Sequence, residues 1–413
     1  MFRTDGNIIY FNGEQKGGVT GDTLKVLAAL HGIVKKQGYE DVTLDFSHAG
    51  FIQPSFLVPL ATVCRAYRKE KIDFDLVMPA EAKTAALMSN ANWAHLISPE
   101  KYVARDEFNK HHLSALQFMS AEEHHAAVDR CVALLLQTLV GIDRKRIKAL
   151  EWALNEITDN VLNHAESHVG GVVQVVNNAR HHCVELHVCD AGITIPRSLR
   201  TGRPDLTDDT SALRAAIEEG VTKNTKTNQG NGLFGTFKCC EVSGGEFEVM
   251  SGRSGLIFRP GDLRVLQNAI PFPGTYVRAS IKYDYERLLE DALVFKGRVH
   301  DPQFDYVERT YFGENEEIEF AVAKELNAFG SREAGRVART KIENLMDRGK
   351  ARIAFDFEDI HLISSSFADE VFGKLFAQLG PVKFNDLCRF RNVDSTVRGL
   401  IDRAIMQRLS LSA

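Results

Sequence analysis

The chain has 413 residues, of which 44% are hydrophobic and 25% charged, and its formal net charge is −5. This length predicts two or three domains, and the composition is typical of a soluble globular protein. The acidic balance argues against a nucleic-acid partner, and no apolar run approaches the ~18–20 residues that would span a bilayer.

The cysteines and the N-terminus predict a cytoplasmic protein. The 7 cysteines are scattered and odd in number, with no CxxC pair. Disulfides are rare in a reducing cytoplasm, so this usage fits that compartment. The N-terminus reads MFRTDGNIIYF and lacks the cationic start and apolar core of a secretory signal.

The middle of the chain alternates helical and β-rich segments. Helical periodicity covers residues 122–165, with a break near Gly141. The runs GVVQVVN (171–177) and CVELHVCD (183–190) predict strands. Further along we expect helices over 210–219 and 234–241, and strands over 246–250 and 275–281.

One face of the helix that ends near residue 165 carries polar groups. Glu156, Asn160 and His164 follow one another at steps of four, opposite a largely apolar stripe. A carboxylate and a carboxamide one turn apart can share one ion or one water. In isolation, however, this pattern is typical of a solvated helix face.

Two later segments add groups that suit a nucleotide. Gly230, Gly232 and Gly235 stand at the head of a predicted helix, where uncovered backbone N–H groups can bind phosphate. The same pattern occurs in dinucleotide folds, but there it directly follows the first strand, whereas here a polar loop precedes it. Asp190 ends a predicted strand, where its carboxylate could accept a hydrogen bond from the amine of adenine. A turn-starting aspartate is the alternative.

In this order and spacing, the three segments resemble the GHKL ATPase family, which includes gyrase, MutL, histidine kinases and anti-sigma serine kinases. The resemblance covers residues 120–285 and implies an α+β sandwich of the Bergerat type that binds ATP and Mg²⁺. It implies that Glu156 is catalytic and that Asn160 is a Mg²⁺ ligand. Thr194 stands where the family has a second glycine after the aspartate.

The nucleotide contacts implied by this resemblance come from all three segments, from the loop before the glycines and from a late Gly-Thr pair. They are Asn160, Asp190, Gly192, Lys223, Gly230, Gly232, Gly235 and Thr275.

The two ends of the chain contain similar sequences. LDFSHAGFIQPSF (44–56) and FDFEDIHLISSSF (355–367) align without a gap and share identical residues at the second, third, ninth, twelfth and last positions. Each copy predicts a β run ending in Asp-Phe, a polar turn, and a helix with Ser55 or Ser365/Ser366 near its N-cap. A chance likeness between two strand–turn–helix units is the alternative to an internal repeat.

Residues 331–380 also resemble STAS-like domains of the DUF4325 type, through their DFxxI and SSFADE sequences. The broader STAS group includes anti-anti-sigma factors, in which a GHKL kinase phosphorylates a serine at this strand-to-helix turn. The resemblance implies Ser365 as the candidate phosphoacceptor, with a simple N-cap as the alternative. The matching residue of the N-terminal copy is Pro54, which has no hydroxyl.

These observations predict an α/β protein with a STAS-like domain over 1–115, a GHKL ATP-binding domain over 116–285, a boundary region over 286–330 and a second STAS-like domain over 331–413. The expected function is that of a Mg-ATP-dependent regulatory switch, an ATPase or serine kinase whose STAS-like domains bind protein partners. A non-catalytic nucleotide sensor or scaffold is the alternative. GHKL proteins commonly dimerise, so a homodimer stays open, and no membrane association is expected.

Overall fold

The computed structural model of the chain has an α/β fold. It describes residues 2–105, 113–222, 230–303, 305–313, 315–347 and 349–412, with side chains described as far as residue 410. The chain divides into two compact units. The first comprises Met1–Cys131 and Trp152–Asp301, and the second comprises Val132–Glu151 and Pro302–Ala413.

The first unit begins with the N-terminal sheet, whose strand order is β1-β2-β3-β4. Strands β1 and β2 are antiparallel, and β2, β3 and β4 are parallel. The strands are β1 Phe2–Asp5, β2 Ile8–Gln15, β3 Asp41–Ile52 and β4 Asp73–Val77. The helices of this stretch are α1 Thr23–His31, extended by a π-helical turn Gly32–Lys36, then α2 Pro54–Lys69, α3 Ala82–Asn90 and α4 Trp93–Ile97.

The central sheet of the same unit has the order β5-β6-β7-β9-β8, and each neighbouring pair is antiparallel. Its strands are β5 Leu116–Phe118, β6 Gly171–Asn178, β7 Cys183–Asp190, β8 Glu246–Arg259 and β9 Asp262–Lys282. The helices between residues 121 and 292 are α5 Ala121–Thr138, α6 Arg144–His164, α7 Ile195–Arg200, α8 Asp209–Ala215, α9 Gly232–Ser243 and α10 Leu288–Ala292. The end of α5 and the start of α6 belong to the second unit. A small hairpin follows, made of β10 Val294–Phe295 and β11 Arg298–Val299.

One hydrophobic core connects the N-terminal sheet to the central sheet. Helix α2 contacts strands β6 and β7, and Phe56 at its start is fully buried. The same core includes Cys189, Met250 and Tyr276 of the central sheet, all at 0% exposure. Because successive strand residues point to opposite faces, the face with these side chains is opposite to the face of Asp190.

The second unit contains the C-terminal sheet, with order β12-β13-β14 and parallel pairing throughout. Its strands are β12 Ile318–Ala321, β13 Ile353–Asp356 and β14 Cys388–Arg391. The helices are α11 Tyr306–Tyr311, α12 Val322–Glu325, α13 Arg332–Leu345, α14 Ser365–Ala368 with a π-helical turn Asp369–Gly373, then α15 Lys374–Leu387 and α16 Ser395–Ser412. The central strand reads IAFD and is apolar in three of its four residues, as expected where helices cover both faces of a parallel sheet.

The expectation of a polar turn in the N-terminal copy of the repeat is wrong. Strand β3 continues through this stretch to Ile52, because Phe46, Ala49 and Ile52 are buried and the strand keeps its pairing with β2 across two register shifts. The C-terminal copy does have a turn, since β13 ends at Asp356 and α14 begins at Ser365.

The serines expected near the N-caps lie in the first turn of their helices, and other residues take the cap position itself. In the N-terminal copy the cap position is Gln53, which makes no side-chain capping bond, and Pro54 provides the first helical residue. In the C-terminal copy Ser364 is the N-cap. Ser55 and Ser365 therefore lie inside their helices.

Among the helices that the structure describes, none has both the length and the apolar character needed to cross a membrane.

Candidate functional site

Helix α6 contributes a carboxylate whose surroundings change its acidity. Its apolar side chains Leu154, Ile157 and Val161 are buried, while Glu156 and Asn160 lie half-buried one turn apart. Burial raises the pKa of Glu156 to about 7, and the neighbouring Asp159 carboxylate adds to this increase. Glu156 can therefore take up or release a proton near neutral pH.

The glycine segment (230–235) packs directly on this helix. A Cβ atom at Gly232, the first residue of α9, would overlap the carboxylate of Glu156, and one at Gly235 would overlap the indole ring of Trp152. The Thr236 hydroxyl is 3.4 Å from the Ala153 carbonyl oxygen and 2.9 Å from that of Gly232. Glycine is therefore required at both positions for α9 to approach α6 this closely.

The N-terminus of α9 lies beside Glu156 as a consequence. Its cap residue is Asn231, whose side chain makes no capping bond within the helix. Instead, the Asn231 side-chain oxygen accepts a hydrogen bond from the Gly220 N–H at 3.2 Å. Gly230 has a φ of +70°, which favours glycine. Backbone N–H groups at such a helix start attract anions.

The aspartate segment (190–194) meets the other end of α6. Asp190 is 4% exposed, and one carboxylate oxygen accepts a hydrogen bond from the Gly192 N–H at 2.8 Å. A Cβ atom at Gly192 would overlap the Ala165 carbonyl group, which accepts a hydrogen bond from the Ile193 N–H at 2.6 Å. This contact brings the aspartate segment against the C-terminal end of the helix that carries Glu156.

Burial also raises the pKa of Asp190 to about 7, although hydrogen bonds from the backbone N–H groups of Gly192 and Thr275 oppose the increase. Asp190 pairs directly with Thr275 across β7 and β9. A Cβ atom at Gly274, whose φ is +115°, would overlap the Asp190 carbonyl oxygen. The Gly-Thr pair thus lies next to the aspartate.

Thr194, which replaces a glycine of the family pattern, has a defined structural role. It is the N-cap of α7, and its hydroxyl accepts a hydrogen bond from the Arg197 N–H at 3.3 Å. Its φ is −78°, a conformation that any residue adopts. The threonine therefore fits this loop without strain.

Sequence reasoning missed Ser251 on β8, which is fully buried. Its hydroxyl accepts a hydrogen bond from the Ile195 N–H at 2.8 Å and lies 2.9 Å from the Thr275 hydroxyl. No sequence signal points to it, because its position opposite Thr275 depends on the register of the β8–β9 hairpin.

The structure thus shows two groups of contacts in the first unit, one between Glu156 and Gly232 and one between Asp190, Gly192 and Thr275. Helix α6 connects the two groups, and it also carries Asn160. Gly230 lies against the backbone of Gly220 and Val221, and Gly235 lies against Trp152. Lys223 lies outside the described residues, so its expected contact with phosphate stays a prediction. His164 is half-buried on α6 and acquires no chemical role. Within the described part of the chain, no group of three or more His, Cys, Asp or Glu side chains could hold a metal ion.

In the second unit, Ser365 is exposed in the first turn of α14. Ser364 takes the N-cap role, since its hydroxyl accepts a hydrogen bond from the Phe367 N–H at 3.0 Å. The Ser364 and Ser366 hydroxyls are 3.0 Å apart. Capping by Ser364 leaves the Ser365 hydroxyl open to solvent.

A cleft of about 460 Å³ lies beside β14 in the same unit. It is lined by phenyl rings, guanidinium groups and a few smaller side chains: Phe376, Phe384, Asn385, Cys388, Arg389, Phe390, Arg391, Arg398 and Ile405. The Arg398 guanidinium lies over the Phe390 ring, 5.5 Å from its centre. The guanidinium groups of the cleft are paired with carboxylates of the chain, Arg389 and Arg391 with Glu317 and Arg398 with Asp402.

Comparison with known families identifies the C-terminal part of the chain. The model of a family described as a STAS-like domain of unknown function (DUF4325) matches residues 334–398. This stretch runs from α13 to α16 and contains β13, Ser365 and β14, so the chain carries a STAS-like domain there. No curated protein and no solved structure matches the chain.

Proposed function

We propose that the first unit is a GHKL-type nucleotide-binding domain that binds Mg-ATP and that the chain acts as an ATP-dependent regulatory switch. The observation that carries this proposal is the contact between Glu156 on α6 and Gly232 at the start of α9. That contact joins a carboxylate of raised pKa to a helix N-terminus, and phosphoryl transfer from ATP uses both.

Backbone and side-chain groups of the first unit have the chemistry needed to bind ATP and Mg²⁺. The start of α9 offers backbone N–H groups to the phosphates, and Asn160 offers one oxygen to a Mg²⁺ ion that keeps several waters and phosphate oxygens as its other ligands. The Asp190 carboxylate would accept a hydrogen bond from the exocyclic amine of adenine. Mg²⁺ would supply charge neutralisation at the phosphates.

Glu156 is the proposed general base. With a pKa of about 7 it is partly ionised at neutral pH, and its carboxylate can accept a proton from an attacking hydroxyl. In hydrolysis, the oxygen of water bonds to the terminal phosphorus, the bond to the ADP oxygen breaks, and Glu156 accepts the proton. In a kinase reaction, the oxygen of a serine hydroxyl replaces that of water.

A thermal-shift experiment with Mg-ATP tests nucleotide binding. We expect ligand to raise the melting temperature of the wild-type chain, since binding to the native state alone stabilises it. Asp190→Asn should lose most of this shift, and Asp205→Asn, an exposed control, should keep it. No shift in the wild-type chain would contradict every nucleotide-based account.

The STAS-like domain supports a partner-binding role for the second unit. An exposed Ser365 beside a capping Ser364 offers a hydroxyl that a kinase could reach, and the cleft at β14 offers a separate surface for a partner. Incubation with Mg-ATP followed by mass spectrometry tests the kinase version: we expect phosphate on Ser365, and none in Ser365→Ala or Glu156→Ala.

The second candidate function is a non-catalytic sensor, in which ATP binds but is not consumed. Both functions use the helix start at Gly232, which lies against α6 at Glu156 and offers backbone N–H groups to phosphate. Comparing ATP consumption by wild type and Glu156→Ala separates the two, because equal and negligible rates would support the sensor.

A further inference from the structure

A short hairpin near the end of the first unit lies beside the two helices of the candidate site. It consists of β10 and β11, which are joined by Lys296 and Gly297 with φ angles of +50° and +75°. Two residues of positive φ are typical of a tight turn that matches the twist of its strands. The His300 N–H also donates a hydrogen bond to the Leu293 carbonyl oxygen at 2.7 Å. The hairpin is therefore a well-defined element, although each of its strands has only 2 residues.

The Phe295 side chain contacts both α6 and α9. Its ring centre lies 5.8 Å from that of Trp152 on α6 and 6.2 Å from that of Phe234 on α9. A Cβ atom at Gly235 would lie 3.1 Å from the tip of the same ring. Trp152 is buried and Phe295 is half-buried. The Phe295 ring thus fills space where the first turn of α9 approaches α6.

The turn of the hairpin makes a second contact with the site. The Lys296 N–H donates a hydrogen bond to the Glu219 carboxylate at 2.5 Å. The next residue, Gly220, donates its own N–H to the side chain of Asn231, the cap residue of α9. The hairpin therefore holds the start of α9 in two ways, through the Phe295 ring and through the chain segment that contacts Asn231.

The start of α9 must lie close to α6 for the candidate site to keep its chemistry. Gly232 lies against the Glu156 carboxylate, and burial raises the pKa of Glu156 to about 7. If α9 moved away, water would reach this carboxylate, and the backbone N–H groups offered to phosphate would be misplaced. A misplacement of ~1 Å can lower an enzymatic rate on the order of 100-fold.

We propose that Phe295 is a positioning residue and that the β10–β11 hairpin holds the start of α9 against α6, so that the phosphate-binding N–H groups and the proposed general base keep their relative positions. The inference rests on the proposed ATP function. Phe295 acts through Trp152 and the first turn of α9. The hairpin lies within residues 286–330, the stretch expected to be a boundary region, so part of that stretch contributes to the nucleotide site.

A hairpin that contributes only to folding would behave differently when Phe295 is shortened. Phe295→Ala would then lower the free energy of unfolding, but the folded molecules would bind ATP with the wild-type affinity and show the wild-type pH dependence of turnover. A hairpin that positions α9 predicts a change in both properties.

The pH dependence should change because water reaches Glu156 in the variant. Hydration of the carboxylate lowers its pKa from about 7 toward the ordinary value of 4.5. The charged groups of the surrounding elements stay in place: Asp159 on α6, and Lys296, Arg298 and His300 of the hairpin and the residue after it. The first turn of α9 reads GLFG and has no titratable side chain. A lower midpoint therefore reports the lost burial of Glu156.

The test compares wild type with Phe295→Ala by calorimetric titration of Mg-ATP and by the pH profile of ATP turnover. We expect affinity to fall at least roughly tenfold, as for one lost hydrogen bond to a charged group, and the midpoint of the profile to fall by about one pH unit or more. Val299→Ala, on the same hairpin but 55% exposed, should change neither. Phe295→Leu should recover most of the affinity, and it provides the same comparison if Phe295→Ala fails to fold.

Tryptophan fluorescence provides a readout without nucleotide. The chain has 2 tryptophans, and Trp93 is 1% exposed within the core that connects the N-terminal and central sheets. A change of emission on substitution at the hairpin therefore reports Trp152. We expect the emission of Phe295→Ala to move to longer wavelength, because the indole loses part of its cover, and that of Val299→Ala to match wild type.

The possible failures are distinguishable. If Phe295→Ala binds Mg-ATP as tightly as wild type, or turns it over with the wild-type pH midpoint, the assignment of Phe295 is overturned even where the fluorescence shifts. A wild-type chain that binds no Mg-ATP overturns the proposed function and, with it, this role of the hairpin.

Discussion

Two carboxylates of raised pKa dominate the candidate site, and burial is the main cause of both shifts. Asp190 is 4% exposed and accepts backbone hydrogen bonds, whereas Glu156 is only half-buried on its helix. The first geometry suits a fixed acceptor, and the second suits a group that must gain and lose a proton.

The pH dependence of ATP turnover should follow Glu156. A general base acts when it is deprotonated, so we expect the rate at saturating Mg-ATP to rise with pH and to level off above about 7. Glu156→Gln should abolish the rate at all pH values. A rate that falls as pH rises from 6 to 8 would contradict this role.

In the absence of nucleotide, the free energy of unfolding should depend on pH through the ionisation of the buried Asp190. Its folded pKa is raised from 3.8 to about 7, so its contribution to stability is fully present below pH 3.8 and is lost as pH rises through about 7. The loss is on the order of 4 kcal/mol, at about 1.4 kcal/mol per pKa unit.

Asp190→Asn removes this ionisation. We therefore expect the free energy of unfolding of the variant, relative to wild type, to increase between pH 5 and pH 8, as measured by denaturant unfolding. Asp205→Asn, an exposed control, should show no such trend. A constant difference across this range would show that Asp190 titrates normally.

Single residues could be selected as candidates from the sequence where they belong to a regularly spaced pattern or end a predicted strand. The steps of four from Glu156 and the strand-ending Asp190 were visible as local signals. Ser251 was not, because its partner lies on a neighbouring strand and only hairpin register brings the two together.

At the scale of elements, the packing of α9 on α6 determines whether the site exists. Glycine at the first position of α9 leaves space for the Glu156 carboxylate, and glycine one turn later leaves space for Trp152. The helix start can then lie beside the proposed general base.

Gly232→Ala should therefore damage the site more than the fold. A methyl group there must displace the Glu156 carboxylate, so we expect at least a tenfold fall in ATP affinity, measured by titration calorimetry. Gly399→Ala is the matched control: that helical glycine has open space around it, and alanine there should be neutral or stabilising by about 0.5–1 kcal/mol. Equal affinities for the two variants would argue against a ligand at α9.

Element boundaries were predictable where the pattern was local. The strand expected over 183–190 matches β7 at both ends, and the helical stretch with its break near Gly141 separates into α5 and α6. The length of β3 was not predictable, since its continuation through a polar sequence depends on pairing with β2.

At the scale of the molecule, the central sheet has two occupied faces. One face packs in a core with α2 of the N-terminal segment, and the other carries Asp190 and its neighbours. The division into three domains over 1–115, 116–285 and 331–413, with a boundary region over 286–330, stays a prediction. The shared core links the stability of the N-terminal segment to that of the central sheet.

Phe56→Ala tests whether the N-terminal segment and the central sheet share one hydrophobic core. Phe56 is fully buried in the shared core, so we expect a loss of about 3–5 kcal/mol in the free energy of unfolding. Phe51→Ala, in the same stretch but 57% exposed, should change it by no more than about 0.5 kcal/mol. Similar effects of the two substitutions would contradict a shared core.

The proposed function requires the first unit to bind one molecule of Mg-ATP between α6, α9 and the end of β7. Calorimetric titration of Mg-ATP into the full chain measures this most directly. We expect saturable binding near one nucleotide per chain, strongly weakened in Asp190→Asn and retained in Ser365→Ala. Absence of binding, or equal binding by wild type and Asp190→Asn, would contradict it.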